Sequence, residues 1–181
     1  APSGSKELFW RCLVNPNHVW KASPNARKGG DTGCPMCSMA GTSKPELRIL
    51  AELSTIFDEV LHRKKFSGAE VDIFIPSLNV AVEYDGARYH QDSLEKDLLK
   101  NKALETLNIS VIRIRETPLK QLSDYDLEIT ANRLDKPALN KLVKQICRVG
   151  NVSETSILDS AKRYQQLENY ADEDAYLIYV S

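Results

Sequence analysis

The sequence predicts an α/β protein. A mixed sheet with flanking helices is expected over residues 43–116, with a small metal-bound module at 1–42 before it and a mainly helical extension over 117–181 packed on that core. Three observations lead there. Three cysteines and a histidine crowd the first 40 residues, two β-rich runs flank Pro76-Ser77-Leu78-Asn79, and leucines recur at helical spacing on either side of that pair.

Composition sets the limits. The chain has 181 residues, 42% hydrophobic and 27% charged, as in an ordinary globular protein. No apolar run approaches the roughly 20 residues of a membrane span, so no membrane partner is expected. The chain opens Ala1-Pro2-Ser3-Gly4-Ser5, with no Met and no apolar secretion signal, which suggests a piece of a longer protein. Net charge is −1, but unevenly spread: residues 1–48 carry seven Lys/Arg against three Asp/Glu, whereas 49–116 carry nine against twelve. A basic lobe beside an acidic centre fits a phosphate-binding module joined to a carboxylate site, and also fits ordinary solvated surface. The cysteines are Cys12, Cys34, Cys37 and Cys147. Three close together and one distant make a poor disulfide plan, and a reduced intracellular setting is expected.

In the N-terminal module, Cys34-Pro-Met-Cys37 forms a C-x-x-C knuckle, and Cys12 and His18 can supply the other two corners of a Cys3His tetrahedron. The polar linker 21–32 contains Gly29-Gly30 and offers no core, so a structural Zn²⁺ would supply the folding energy. A lone disulfide or free thiols is the competing reading. The string Trp10-x-Cys12, His18-x-Trp20, Gly33-Cys34-Pro35-x-Cys37 resembles zinc-ribbon or treble-clef modules of prokaryotic and phage DNA-processing proteins. The resemblance implies that Lys21, Arg27 and Lys28 help to grip nucleic acid.

A helix is expected from Ser43-Lys44-Pro45-Glu46, a capping box with Pro in the first turn, through Leu47, Leu50, Leu53, Phe57 and Leu61 to the basic cluster Arg63-Lys64-Lys65. A symmetric hairpin centred between Ser77 and Leu78 places Asp72 opposite Glu83, with Asp85 on the same face. Opposed carboxylates about 5 Å apart repel by roughly 3 kcal/mol at an effective dielectric of 20. A divalent cation, Mg²⁺ or Mn²⁺, reverses that sign, whereas a slipped register would put the acids in solvent. A second helix is expected after Asp92 or Ser93, with Leu94, Leu98, Leu104 and Leu107 as its apolar positions and Asp97, Lys100 and Asn101 near its other face. A strand over 109–115 then follows, with Arg113 and Arg115 on one side, where they clamp a phosphate backbone or solvate an edge.

Helix, hairpin, helix, strand, with Glu46, Asp72, Glu83-Tyr84-Asp85-Gly86, His90 and Lys96-Asp97-x-x-Lys100, resembles the PD-(D/E)XK nuclease superfamily. The nearer likeness is to the branch of very-short-patch-repair endonucleases and EDxHD homing endonucleases. The resemblance covers roughly residues 43–116 and implies a restriction-endonuclease-like fold. In it Asp72 is the central metal ligand, Glu83 its partner, and Glu46 a contributor from the first helix. Asp85 stands where the superfamily usually has Lys, so His90, or Lys100 from the next helix, takes the proton-handling role. The implied activity is Mg²⁺- or Mn²⁺-dependent endonucleolytic hydrolysis of DNA. The alternatives are a non-catalytic zinc-containing nucleic-acid-binding or assembly protein, and an RNA nuclease.

Residues 117–181 carry no motif. Helices are expected over 137–147 and 153–169 and a short apolar strand or tail over 175–180, and the region could contact DNA or mediate homodimerisation. Cys147 reads as a buried, inert thiol.

Overall fold

The computed structural model describes residues 6–11, 19–25, 42–67, 69–87, 93–130 and 133–180. The N-terminal part contributes an antiparallel ribbon, β1 (Leu8–Arg11) and β2 (Val19–Ala22), with Trp10 paired to Trp20. Trp10 Nε1 donates to the Ala22 carbonyl at 2.8 Å.

The remainder is built on a five-stranded mixed sheet in the order β3-β4-β5-β6-β7: β3 (Leu61–Phe66), β4 (Ala69–Ile75), β5 (Val80–Asp85), β6 (Ser110–Glu116) and β7 (Leu127–Ile129). The first two pairings are antiparallel and the last two parallel. Helices α1 (Lys44–Leu53), α2 (Leu94–Glu105), α3 (Lys136–Val149), α4 (Thr155–Gln166) and α5 (Glu173–Val180) complete it.

Helix α1 starts as its capping box predicts: Glu46 N–H donates to Ser43 Oγ, and the Glu46 carboxylate accepts from Ser43 N–H at 3.2 Å. It ends at Leu53, earlier than the leucine spacing predicts. Ser54 and Thr55 turn their hydroxyls onto the carbonyls of Leu50 and Glu52, and such local bonds compete with helix continuation. The chain then turns, and Leu61–Phe66, expected as the helix end, is the edge strand β3.

The β4–β5 hairpin has the predicted register, with Ile73 opposite Val82, Phe74 opposite Ala81 and Ile75 opposite Val80. Pro76–Leu78 make a 3-10 turn closed by Asn79 in the left-handed region (φ 51), which Asn tolerates. Asn108, with φ 57, ends the α2 segment in the same way.

One sheet face is apolar. Ile73, Ile75, Val80, Val82, Ile112 and Ile114 are buried there with Ile49, Leu50 and Leu53 of α1 and Leu139, Leu142, Val143 and Ile146 of α3. The C-terminal region thus completes the same hydrophobic core, and its last element is a helix rather than the expected strand or tail. Buried Glu52 ties this region to α1, accepting from Tyr164 O–H and from Ala171 N–H, both at 2.9 Å. Strand β7 had no sequence signal: three residues are too few to show an alternation. Cys147 is half-buried, and burial raises its thiol pKa. Among the described residues, no helix is long and apolar enough to cross a membrane.

Candidate functional site: an ionic row under helix α2

The second sheet face is apolar at one end, where Phe74, Ala81 and Val111 pack with Leu104 of α2, and charged at the other. Parallel pairing of β5 with β6 sets Glu83 opposite Arg113 and Asp85 opposite Arg115, two steps on from Ala81 opposite Val111. Continuing the β4–β5 register by one position brings Asp72 across from Glu83, and the backbone N–H of Tyr84 donates to Asp72 Oδ2 at 2.8 Å. Helix α2 lies over this row with its polar side inward. Asp97 is buried, and of the leucines expected inward Leu104 is buried while Leu94, Leu98 and Leu107 are exposed, so the first turns of the helix depart from the expected orientation and its end keeps it. The ions beneath explain it, because Asp97, Lys100 and Asn101 find partners there that leucines could not satisfy.

At one end the charges balance. Arg113 Nη1 lies 2.9 Å from Asp85 Oδ1, Arg115 Nη1 lies 3.1 Å from Asp85 Oδ2, and Arg115 Nη2 lies 3.3 Å from Asp97 Oδ2. Arg113 Nε donates to Asn101 Oδ1 at 3.0 Å, and Ser93 Oγ donates to Asp97 Oδ2 at 2.8 Å. Arg113 and Arg115, expected at a phosphate backbone, are 0% and 2% exposed, so they face carboxylates inside the protein. Asp85, expected to share the catalytic cation, is clamped by both guanidiniums and has no charge to spare for a metal. Asp97, expected on an exposed helix surface, is part of the same buried quartet.

At the other end they do not balance. Asp72 and Glu83 face the Lys100 ammonium, whose Nζ lies 2.6 Å from Glu83 Oε2, and more distantly Arg113, already engaged with Asp85, whose Nη1 lies 4.0 Å from the same oxygen. Burial, followed by the neighbouring Glu46 charge, lifts the Asp72 carboxyl to about 6, against the pull of the Tyr84 N–H. Burial, followed by the Asp72 charge, lifts Glu83 to about 7, against the pull of Lys100 and Arg113. Glu83 Oε1 is buried with no hydrogen-bond partner among the described residues. An orphaned carboxylate oxygen beside a second carboxylate, both resisting ionisation, is an arrangement that a hard cation would relieve.

Glu46 reaches the site indirectly. One of its oxygens accepts from Ser43, and the other lies 2.8 Å from His62 Nε2 on β3, so both are engaged. It acts on Asp72 through its charge. His62 is the participant the sequence reading missed: read as part of a helix end, it gave no sign that a strand would turn it toward Glu46.

His90 lies outside the described residues, as do Cys12, His18, Cys34, Cys37, Arg27 and Lys28. Lys21 is exposed on β2, with its ammonium 4.8 Å from the centre of the Phe9 ring. Among the described residues no three carboxylate, imidazole or thiol groups converge as a metal centre, so the expected triad of acids around one ion reduces to the pair Asp72 and Glu83.

Residues 1–40 match a family model described as "Probable Treble clef zinc finger domain". The match supports a zinc module at the N-terminus, with a structural Zn²⁺, and the nucleic-acid- or zinc-binding role that such a module suggests. No curated protein and no solved structure matches the chain.

Proposed function

We propose that the protein is a divalent-metal-dependent DNA endonuclease whose N-terminal zinc module helps to hold the DNA. The observation that carries the reading is the incompletely compensated pair: Asp72 and Glu83 across neighbouring strands, both pushed toward neutrality, with Glu83 Oε1 lacking a hydrogen-bond partner among the described residues. The resemblance of residues 43–116 to the PD-(D/E)XK nucleases points the same way, and the helix–hairpin–helix–strand order is present with β3 added before the hairpin.

Two carboxylates are enough for such an ion. Mg²⁺ keeps several of its waters and is commonly held by one or two protein carboxylates together with substrate phosphate oxygens. Asp72 and Glu83 would hold it, and it would polarise the scissile phosphate and acidify the attacking water. Lys100 holds Glu83 Oε2 in place and brings a positive charge to the centre where negative charge builds up in phosphodiester hydrolysis. His90, just beyond β5, is assigned the proton transfer.

Supercoiled plasmid incubated with Mg²⁺ tests the activity. Wild type is expected to nick or cut it, and Asp72→Asn to lose at least about a hundredfold in rate, near 2.7 kcal/mol of barrier. Equal rates in the two proteins would remove the enzymatic reading and leave the zinc-containing nucleic-acid binder, and cleavage of RNA in preference to DNA would reassign the substrate. The zinc half is checked by metal analysis, which should find about one zinc per purified chain.

A further inference from the structure

We propose that the edge strand β3 is a phosphate-binding rail, in which Arg63, Lys64 and Lys65 hold the DNA backbone against Asp72 and Glu83. The inference deepens the endonuclease reading and takes from it only the identity of the polyanion.

A carboxylate-rich centre repels the substrate it has to bind. The cations nearest the acids in the row are committed inside the protein: Arg113 and Arg115 to Asp85 and Asp97, and Lys100 to Glu83. Strand β3 is different. It is one of the two edge strands of the sheet, and Lys64 and Lys65 are exposed, Lys65 with 81% of its side chain accessible. The β3–β4 register pairs His62 with Ile73 and Lys64 with Val71, which makes Arg63 the residue across from Asp72. Arg63 lies 2.7 Å from Glu70 Oε1, and the charges of Glu46 and Asp72 also reach it. Lys65 lies 3.7 Å from the same Glu70 carboxylate, and Arg63, Lys64 and Lys65 all remain exposed along the strand.

The backbone adds an independent sign. Arg63 has φ 51, a left-handed conformation that a non-glycine side chain adopts at a cost, and it does so directly opposite Asp72. Strain of this kind persists where the surroundings impose it and gathers at functional sites. A guanidinium fork matched to phosphate oxygens, followed by two mobile ammonium groups, is well suited to non-specific backbone contact.

The test measures binding of a labelled short duplex, without metal, as a function of salt. Lys64→Gln/Lys65→Gln should weaken binding and make the slope of log K against log salt shallower by about 1.8, near 0.9 per lost phosphate contact. Arg63→Gly should lower the slope by a further contact while its melting temperature stays level or rises, because glycine relaxes at φ 51. Glu83→Gln, which removes a negative charge, should bind at least as tightly as wild type. Wild-type slopes in the β3 variants, or a wild-type protein that does not bind duplex DNA, would overturn the rail. A wild type that binds through β3 yet never cuts plasmid would remove the endonuclease reading and leave the rail standing. One that cuts, with slopes unchanged in the variants, would do the opposite.

Discussion

The two ends of the ionic row use the same kinds of residue with different arithmetic. Around Asp85, two carboxylates meet two guanidiniums with most contacts near 3 Å, and the quartet is closed to solvent, although Arg113 Nη2 and Arg115 Nε have no hydrogen-bond partner among the described residues. Around Asp72, two carboxylates and the charge of Glu46 meet the Lys100 ammonium and the edge of an Arg113 guanidinium shared with Asp85; both carboxyl pKa values are raised, and Glu83 Oε1 has no hydrogen-bond partner among the described residues. Both ends lie on one sheet face under one helix, so fold position does not separate them. Charge balance does. A balanced buried cluster holds structure together, whereas an unbalanced one is unstable until something positive arrives.

The largest effect should come from breaking the balanced end. Arg113→Met leaves Asp85 buried against a reduced counter-charge and should cost about 3–5 kcal/mol in urea denaturation. A loss below about 1 kcal/mol would mean that the quartet is not what holds this face together.

The unbalanced end predicts a pH dependence of definite sign. Asp72 and Glu83 titrate higher folded than unfolded, so the folded state binds more protons from about pH 4 upward. Metal-free stability should therefore fall as pH rises through that window and level off above about pH 7. For Glu83 alone, going from 4.5 to about 7, the fall is on the order of 3 kcal/mol. Melting temperatures across this range should show the decline, Mg²⁺ should flatten it, and Glu83→Gln should make it much shallower. Stability that rose with pH over the same range would mean that the pair is compensated after all.

The smallest effect concerns the anchor of Glu46. Ser43→Ala removes the side-chain half of the capping box and should cost about 1 kcal/mol, readable as a shift in the denaturation midpoint. It should leave the slope of the pH profile near wild type, since Glu46 keeps its contact with His62.

What the sequence revealed follows from how local each interaction is. The Asp72–Glu83 juxtaposition was legible because a symmetric hairpin fixes its own register over a few residues. The capping box at Ser43 was legible for the same reason. The partners of Arg113 and Arg115 were not, since they depend on a parallel pairing with β5 across a connection containing α2, and no alternation pattern encodes a parallel register. The misoriented α2 shows the limit of periodicity. Its leucine stripe predicted a buried face, which holds at Leu104 over the apolar part of the sheet, but where the sheet offered ions Asp97 went inward while Leu94 and Leu98 stayed out. His62 was hidden by a helix reading of β3 that Ser54 and Thr55 had already ended.

Calorimetric titration of Mn²⁺ into the purified protein and into Asp72→Asn, near pH 6.5, tests the central claim most directly. The account predicts saturable binding in the wild type accompanied by proton release, since carboxyls titrating at about 6 and about 7 must ionise to bind, and loss of that binding in the variant. Equal heats in both proteins, or no saturable binding in the wild type, would contradict it.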